Sequence, residues 1–535
     1  VVFSKARGAL MVVNEATSSV QAKGTKTVIA AAVAALSLGA GVASAAEYVS
    51  AEIGSGASLT VNADGNTPSG VVGTKSDDTT GTLTKDDTVT GAYTLSGGEL
   101  IINGTTFAGT IAADADAKKA NGTITLNATN KDAIGTSVTY TGLDGTYSTL
   151  NLNLNVFNAA ATGGTPGSVT IGDDNKNLTL KAGTLTTGTI ASSVSGSTNK
   201  ATAEIKGNTL AFGVPADTVG TNKEPSATNP GSAYDFDNAA DVQLKVTAAD
   251  TVTFNKGTIT NAGTMTVSGT NGVTVEKEVS IANTGDLTFT ATASTKNVDF
   301  NADYIATAGR LFIKSDANTI SGNITADSLK FGTAINDTTT TKETNQVVIT
   351  ATNSGKNTIA YGSTVDVKAL TVEDAATTIN GTLKAAATAV TDATTAGLTV
   401  ADTIKTVDLN KITQYAAVSL GDITVGSAAS GATGGTIFTL TNNSTENAVE
   451  ASSLTVVKNS TANTFTLANG DFSVGKLTNQ GAVKLGDSTN NTVGKLIITG
   501  EGSNASGAAI NLAASSTDAS LVVAEGASLQ NQGSI

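Results

Sequence analysis

The chain has 535 residues, no Cys, no His, no Trp and a formal charge of −14. Disulfides, thiolate metal sites and His-dependent catalysis are therefore excluded. Residues 1–45 carry Lys5, Arg7, Lys23 and Lys26 against Glu15, so the acidic excess lies beyond them. One Arg remains there, Arg310, which argues against a nucleic-acid partner.

Charged residues are only 14% of the chain, well below the usual quarter, and Gly is abundant. This composition favours Thr- and Asn-faced strands over Lys/Glu-faced helices.

In chain order, residues 1–45 read as an export leader, helical or disordered. Basic residues end at Lys23 and Lys26, and an uncharged aliphatic run follows from Val28 to Val42. That run is about 15 residues, short of a membrane span. Ala43-Ser44-Ala45 fits the small-x-small rule, so cleavage is expected before Ala46 or Glu47. Upstream lie Val2-Phe3-Ser4-Lys5-Ala6-Arg7-Gly8-Ala9 and Val12-Val13-Asn14-Glu15. This block resembles the extended signal peptide region of Gram-negative type V secretion proteins, the autotransporters and their relatives. The family's Met-Asn-Lys-x-Tyr-like opening is missing, so a few N-terminal residues are expected to be absent. The resemblance implies Sec-route export, slowed at the inner membrane.

Beyond the leader, short apolar–polar–apolar triplets recur. Residues 46–212 are expected to form the first part of a β-helix with its cap; Leu150-Asn151-Leu152-Asn153-Leu154-Asn155-Val156 is its cleanest strand. Residues 213–240 break the pattern with Pro215, Pro225 and Pro230, which predicts a loop thrown off the coil. Tyr234, Asp235, Phe236 and Asp237 lie in it. Such a loop is either a plain or disordered insertion, or a binding loop carrying those four residues.

Residues 241–535 resume the pattern. From Thr251 to Thr290 the units begin at Val252, Ile259, Met265, Val273, Val279 and Leu287. Three units make a period of roughly 21 residues, a solenoid signature. A three-residue strand buries nothing alone, but stacked copies enclose a core. The expected fold is all-β, a right-handed parallel β-helix. At that period the mature chain would hold roughly 23 coils, a rod on the order of 110 Å. Leu383 to Thr391 reads either as a short helix or as a rung with Ala in the core. The chain stops at Ile535 in mid-repeat, so truncation is expected there too.

Little in the sequence points to catalysis. Asp77-Asp78, Asp86-Asp87 and Asp173-Asp174 sit among turn residues, and adjacent strand residues face opposite ways. Gly486-Asp487-Ser488 resembles a serine-protease nucleophile segment, but Thr489 follows and no His can act as base. No metal or cofactor is expected. Asn-Gly pairs at 103, 121, 271 and 380 are expected to form left-handed turns and stacked amides.

The resemblance implies the passenger of an autotransporter, similar to self-associating adhesins, and not an enzyme. Its partners would be host cells, matrix, glycans or like passengers on sister cells, in attachment, autoaggregation or biofilm. It would be held at the outer membrane by a C-terminal barrel of about 12 strands. The alternatives are a two-partner secretion exoprotein, a trimeric autotransporter adhesin, or a β-helix carbohydrate-active enzyme. The first lacks its Asn-Pro-Asn-type motifs and the second its short repeats and heptad stalk.

Overall fold

The computed structural model describes residues 2–4, 9–11, 49–55, 58–62, 88–89, 91–103, 106–107, 110–111, 121–128, 137–156, 168–189, 201–216, 218–219, 224–225, 230–332, 344–372, 376–390, 396–400, 418–426, 435–443, 449–458, 463–486, 492–513 and 518–535. None of these residues is helical. The chain divides into two compact units, Val1–Lys245 and Val246–Ile535.

In the first unit three series of short strands stack in parallel. One runs through Asn121–Asn127, Thr149–Val156, Gly183–Thr189 and Tyr234–Asn238. A second joins Ser137–Tyr140, Ser168–Asp173 and Ala201–Gly207. The third joins Gly145–Tyr147, Leu178–Leu180 and Leu210–Phe212. This is the expected three-strand coil of a parallel β-helix.

The second unit is built the same way. Val252 stacks on Val273 and Val273 on Val298 in one face; Met265 stacks on Leu287 and Leu287 on Leu311 in another. Alternation places every second residue inside. Thr149–Val156 and Thr264–Gly269 bury alternate positions along their whole length. Each Val or Leu so enclosed contributes about 1.5–3 kcal/mol over its exposed state. Phe289 packs between Phe254 and Phe300, its ring centroid 6.2 Å and 5.9 Å from theirs.

The coil is not uniform. Stacked side chains are 21 residues apart at Asp250 and Asn271, and 22 at Asn261 and Asn283. The separation is 25 at Asn479 and Asn504, 28 at Asn127 and Asn155, and 33 at Asn153 and Thr186. A period of roughly 21 therefore overcounts the coils. Pairing constrains only the strands, and extra residues leave at the corners at little cost in loop entropy.

The leader is represented among the described residues by Val2–Ser4 and Ala9–Met11, an antiparallel pair, so these six residues are extended. The rest of it, including Ala43, Ser44, Ala45 and Ala46, lies outside the described residues. Leu383 to Val390 belongs to the strand Thr382–Val390, a rung whose inward Leu383 and Ala385 are buried.

Candidate functional site

The outward side of the first unit's longest face is a hydrogen-bonded polar sheet. Thr125 donates to Glu99 Oε1 at 2.6 Å, and Asn153 donates to Thr125 Oγ1 at 3.1 Å. Thr186 then donates to Asn153 Oδ1 at 2.8 Å. Beside this column Thr184 donates to Asn151 Oδ1 at 3.2 Å, and Asn155 to Asn127 Oδ1 at 2.8 Å. Strands one coil apart place like-facing residues about 4.8 Å apart, so an amide reaches the next hydroxyl without distortion.

Asp235 and Asp237 continue two of these columns. Gly183–Thr189 pairs in parallel with Tyr234–Asn238, with Asp235 over Thr184 and Asp237 over Thr186. The loop expected at 213–240 is thereby shortened. Leu210–Phe212 is still a rung; Val214 and Ser232 bridge in antiparallel fashion, and Thr218–Val219 pairs with Glu224–Pro225 outside the coil. The chain is back in a rung by Tyr234.

Tyr234, Asp235, Phe236 and Asp237 are thus not a loop. Tyr234 and Phe236 face inward at 2% and 1% exposure. Phe212 touches both rings, at 5.5 Å from Tyr234 and edge-on at 4.9 Å from Phe236. Burial pushes the Tyr234 hydroxyl well above its ordinary range. The alternation Tyr-Asp-Phe-Asp is a strand signal, and prolines upstream masked it. Of the four residues, only the carboxylates face out.

The second unit carries a similar outward column on the face of Val252. Thr253, Thr274, Asp299, Thr319, Thr358 and Thr378 follow one another coil by coil.

Inside, buried asparagines stack. Asn261 donates to Asn283 at 2.8 Å and Asn479 to Asn504 at 2.9 Å, and Asn504 in turn donates to the exposed Asn531 at 2.7 Å. Gly481 N–H donates to Asn479 Oδ1 at 3.1 Å and Gly533 N–H to Asn531 Oδ1 at 3.2 Å, which closes the corner. The sequence signal was Asn-x-Gly at coil spacing (Asn261-Ala262-Gly263, Asn283-Thr284-Gly285, Asn479-Gln480-Gly481), which the Asn-Gly reading passed over. Among the described residues the only non-Gly positive φ values are at Thr295 and Asn345, so Asn121, Asn271 and Asn380 do not adopt the expected left-handed conformation. Positive φ near the left-handed region occurs at other glycines, such as Gly97, Gly145 and Gly470, which lack a Cβ.

Among the described residues the ion pairs join neighbouring coils and are mostly solvent-exposed. Asp173 accepts from the Asn175 N–H at 2.9 Å, which holds its carboxyl below the usual range, and Asp174 pairs with Lys206 at 3.2 Å. This acidic pair is turn chemistry. Asp77-Asp78 and Asp86-Asp87 lie outside the described residues. The exception is Arg310, buried at 6% exposure, which donates through Nε and Nη2 to both Asp286 oxygens at 2.7 Å. Its guanidinium lies 5.2 Å from the Phe312 ring centre. Among the described residues no three Asp or Glu side chains gather as metal ligands would. No protein-family model, curated protein or solved structure matches the chain.

Proposed function

We propose that the chain is an exported, non-enzymatic adhesin passenger of the autotransporter kind, released from its leader before Ala46 or Glu47 and presented at the cell surface. Support comes from the extended leader block at residues 2–15 and from the outward hydroxyl–amide columns. A single Thr or Asn contact is worth little in water. Repeated at each coil, many such contacts act together by avidity. The attachment partners are host surfaces, matrix, glycans or a like chain on a neighbouring cell.

The test is display of the full reading frame on a non-adherent Gram-negative cell. Settling of the culture, or adhesion to host cells or immobilised glycans, should rise on expression. Wild-type behaviour of displayed cells in every assay would sink the reading. Release of reducing ends from glycans would favour the carbohydrate-active alternative.

A further inference from the structure

One face of the second unit holds a strand more than the other two. Among the described residues of 297–372, two faces stack one strand per coil: Asn297–Phe300 under Ala317–Ile320 under Lys356–Ile359, and Tyr304–Ile305 under Ile324–Ala326 under Val365–Val367. The remaining face is different. Arg310–Lys314 pairs with Gln346–Thr350, and that strand pairs with Ser328–Phe331, which pairs with Ala369–Val372. The stacking order is therefore 310, 346, 328, 369, out of chain order.

The inserted strand is buried on both sides of its pleat: Gln346, Val347, Val348, Ile349 and Thr350 are all 8% exposed or less. Inward, Val347 lies between Leu311 and Leu329, and Ile349 between Ile313 and Phe331. Outward, Val348 sits between Phe312 and Lys330. A rung above Ser328–Phe331 would instead put Val348 between Lys330 and Thr371, so the inverted order gives it its one aromatic neighbour.

Without the insert, the same registers bring Leu329 onto Leu311 and Phe331 onto Ile313. Inward residues stay inward, because both pairings keep the same phase. Ser328 is also half as far along the chain from Arg310 as Gln346 is, so its loop closes more readily. We infer that Gln346–Thr350 is a keystone strand. Ser328–Phe331 first docks directly on Arg310–Ile313, and Gln346–Thr350 then displaces it by inserting between the two. Face stacking beyond this coil waits on that exchange.

The chain has no Cys, so engineered pairs report the order cleanly. Adjacent parallel strands are about 4.8 Å apart, within disulfide reach, and strands two apart are beyond it. In the full chain, Phe312→Cys with Lys330→Cys reports direct docking, and Phe312→Cys with Val348→Cys reports the inserted state. Under pulsed oxidation during refolding, the 312–330 crosslink should peak early, several-fold above its equilibrium level, and fall as the 312–348 crosslink rises. A 312–330 yield that never exceeds its equilibrium level overturns the proposal. If either variant fails to fold, pulse-labelling hydrogen exchange on the unaltered chain decides. Residues 328–331 should gain protection before 346–350; simultaneous or reversed protection overturns the exchange.

Discussion

Asn479 Nδ2 lies 2.9 Å from Asn504 Oδ1, one coil further along, and neither residue is more than 1% exposed. The same Asn479 nitrogen reaches the Ala509 carbonyl at 2.9 Å. Removing the amide leaves an acceptor in each neighbour short of its donor. Asn479→Ala is expected to destabilise the second unit by about 1–3 kcal/mol, read as a lowered denaturation midpoint at constant slope. Asn479→Asp should be at least as damaging, since a buried carboxylate cannot donate. An unchanged midpoint in both would mean the ladder contributes nothing.

Arg310 is held bidentately by Asp286 and is nearly enclosed. Cutting a buried pair from one side costs about 3–5 kcal/mol; Asp286 is 23% exposed, which places Arg310→Ala toward the lower end. Arg310→Lys keeps the charge but loses the planar fork, so it should fall between. Thermal melts of the three proteins test the ranking.

Tyr234 and Phe236 distinguish a rung from a loop. Phe236→Ala should cost about 3–5 kcal/mol in the first unit. Asp235→Asn and Asp237→Asn should leave stability nearly unchanged, being outward. Equal, small effects at all three substituted positions would restore the loop reading.

Two glycines separate space from backbone conformation. A Cβ at Gly355 would fall 1.7 Å from the Asp316 carbonyl oxygen, while one at Gly362, with φ +84°, meets nothing within 4 Å. Gly362→Ala should cost about 1–2 kcal/mol, the strain of a left-handed residue. Gly355→Ala should cost more, because backbone must move. Denaturant titration of both variants gives the order directly.

The shifts of Asp327 and Tyr147 have opposite consequences for stability against pH. The Lys368 ammonium, 2.7 Å away, and the Asn345 amide hold the Asp327 carboxyl below its usual range. Its contribution is therefore present above the unfolded carboxyl range and lost as pH falls through the lowered folded value. Lys368→Ala should raise the Asp327 midpoint in a carboxyl NMR titration. Burial pushes the Tyr147 hydroxyl up to about 12, and it donates to the Ile111 carbonyl at 2.9 Å. Its contribution holds below pH 10 and is lost between roughly 10 and 12, as the unfolded phenol ionises first. Tyr147→Phe should flatten stability over that window.

Period-two alternation and turn residues were enough to establish strands, parallel coils and an apolar interior, because these depend on side-chain direction and on the need to bury short strands by stacking. Val252-Thr253-Phe254 and Leu150 to Val156 behave as they read. What tertiary structure decided is which residues meet. Asn261 and Asn283 join because coil length brings them into register; Asn-x-Gly marks the corner in the sequence but does not say that the amide points inward. Tyr234 to Asp237 sit in a rung because Phe212 and the preceding strand Gly183–Thr189 receive them, against the local signal of nearby prolines. The inverted order of Ser328–Phe331 and Gln346–Thr350 is likewise invisible in one dimension. Both segments read as strands, and only competition for the same partner, Arg310–Lys314, settles their positions.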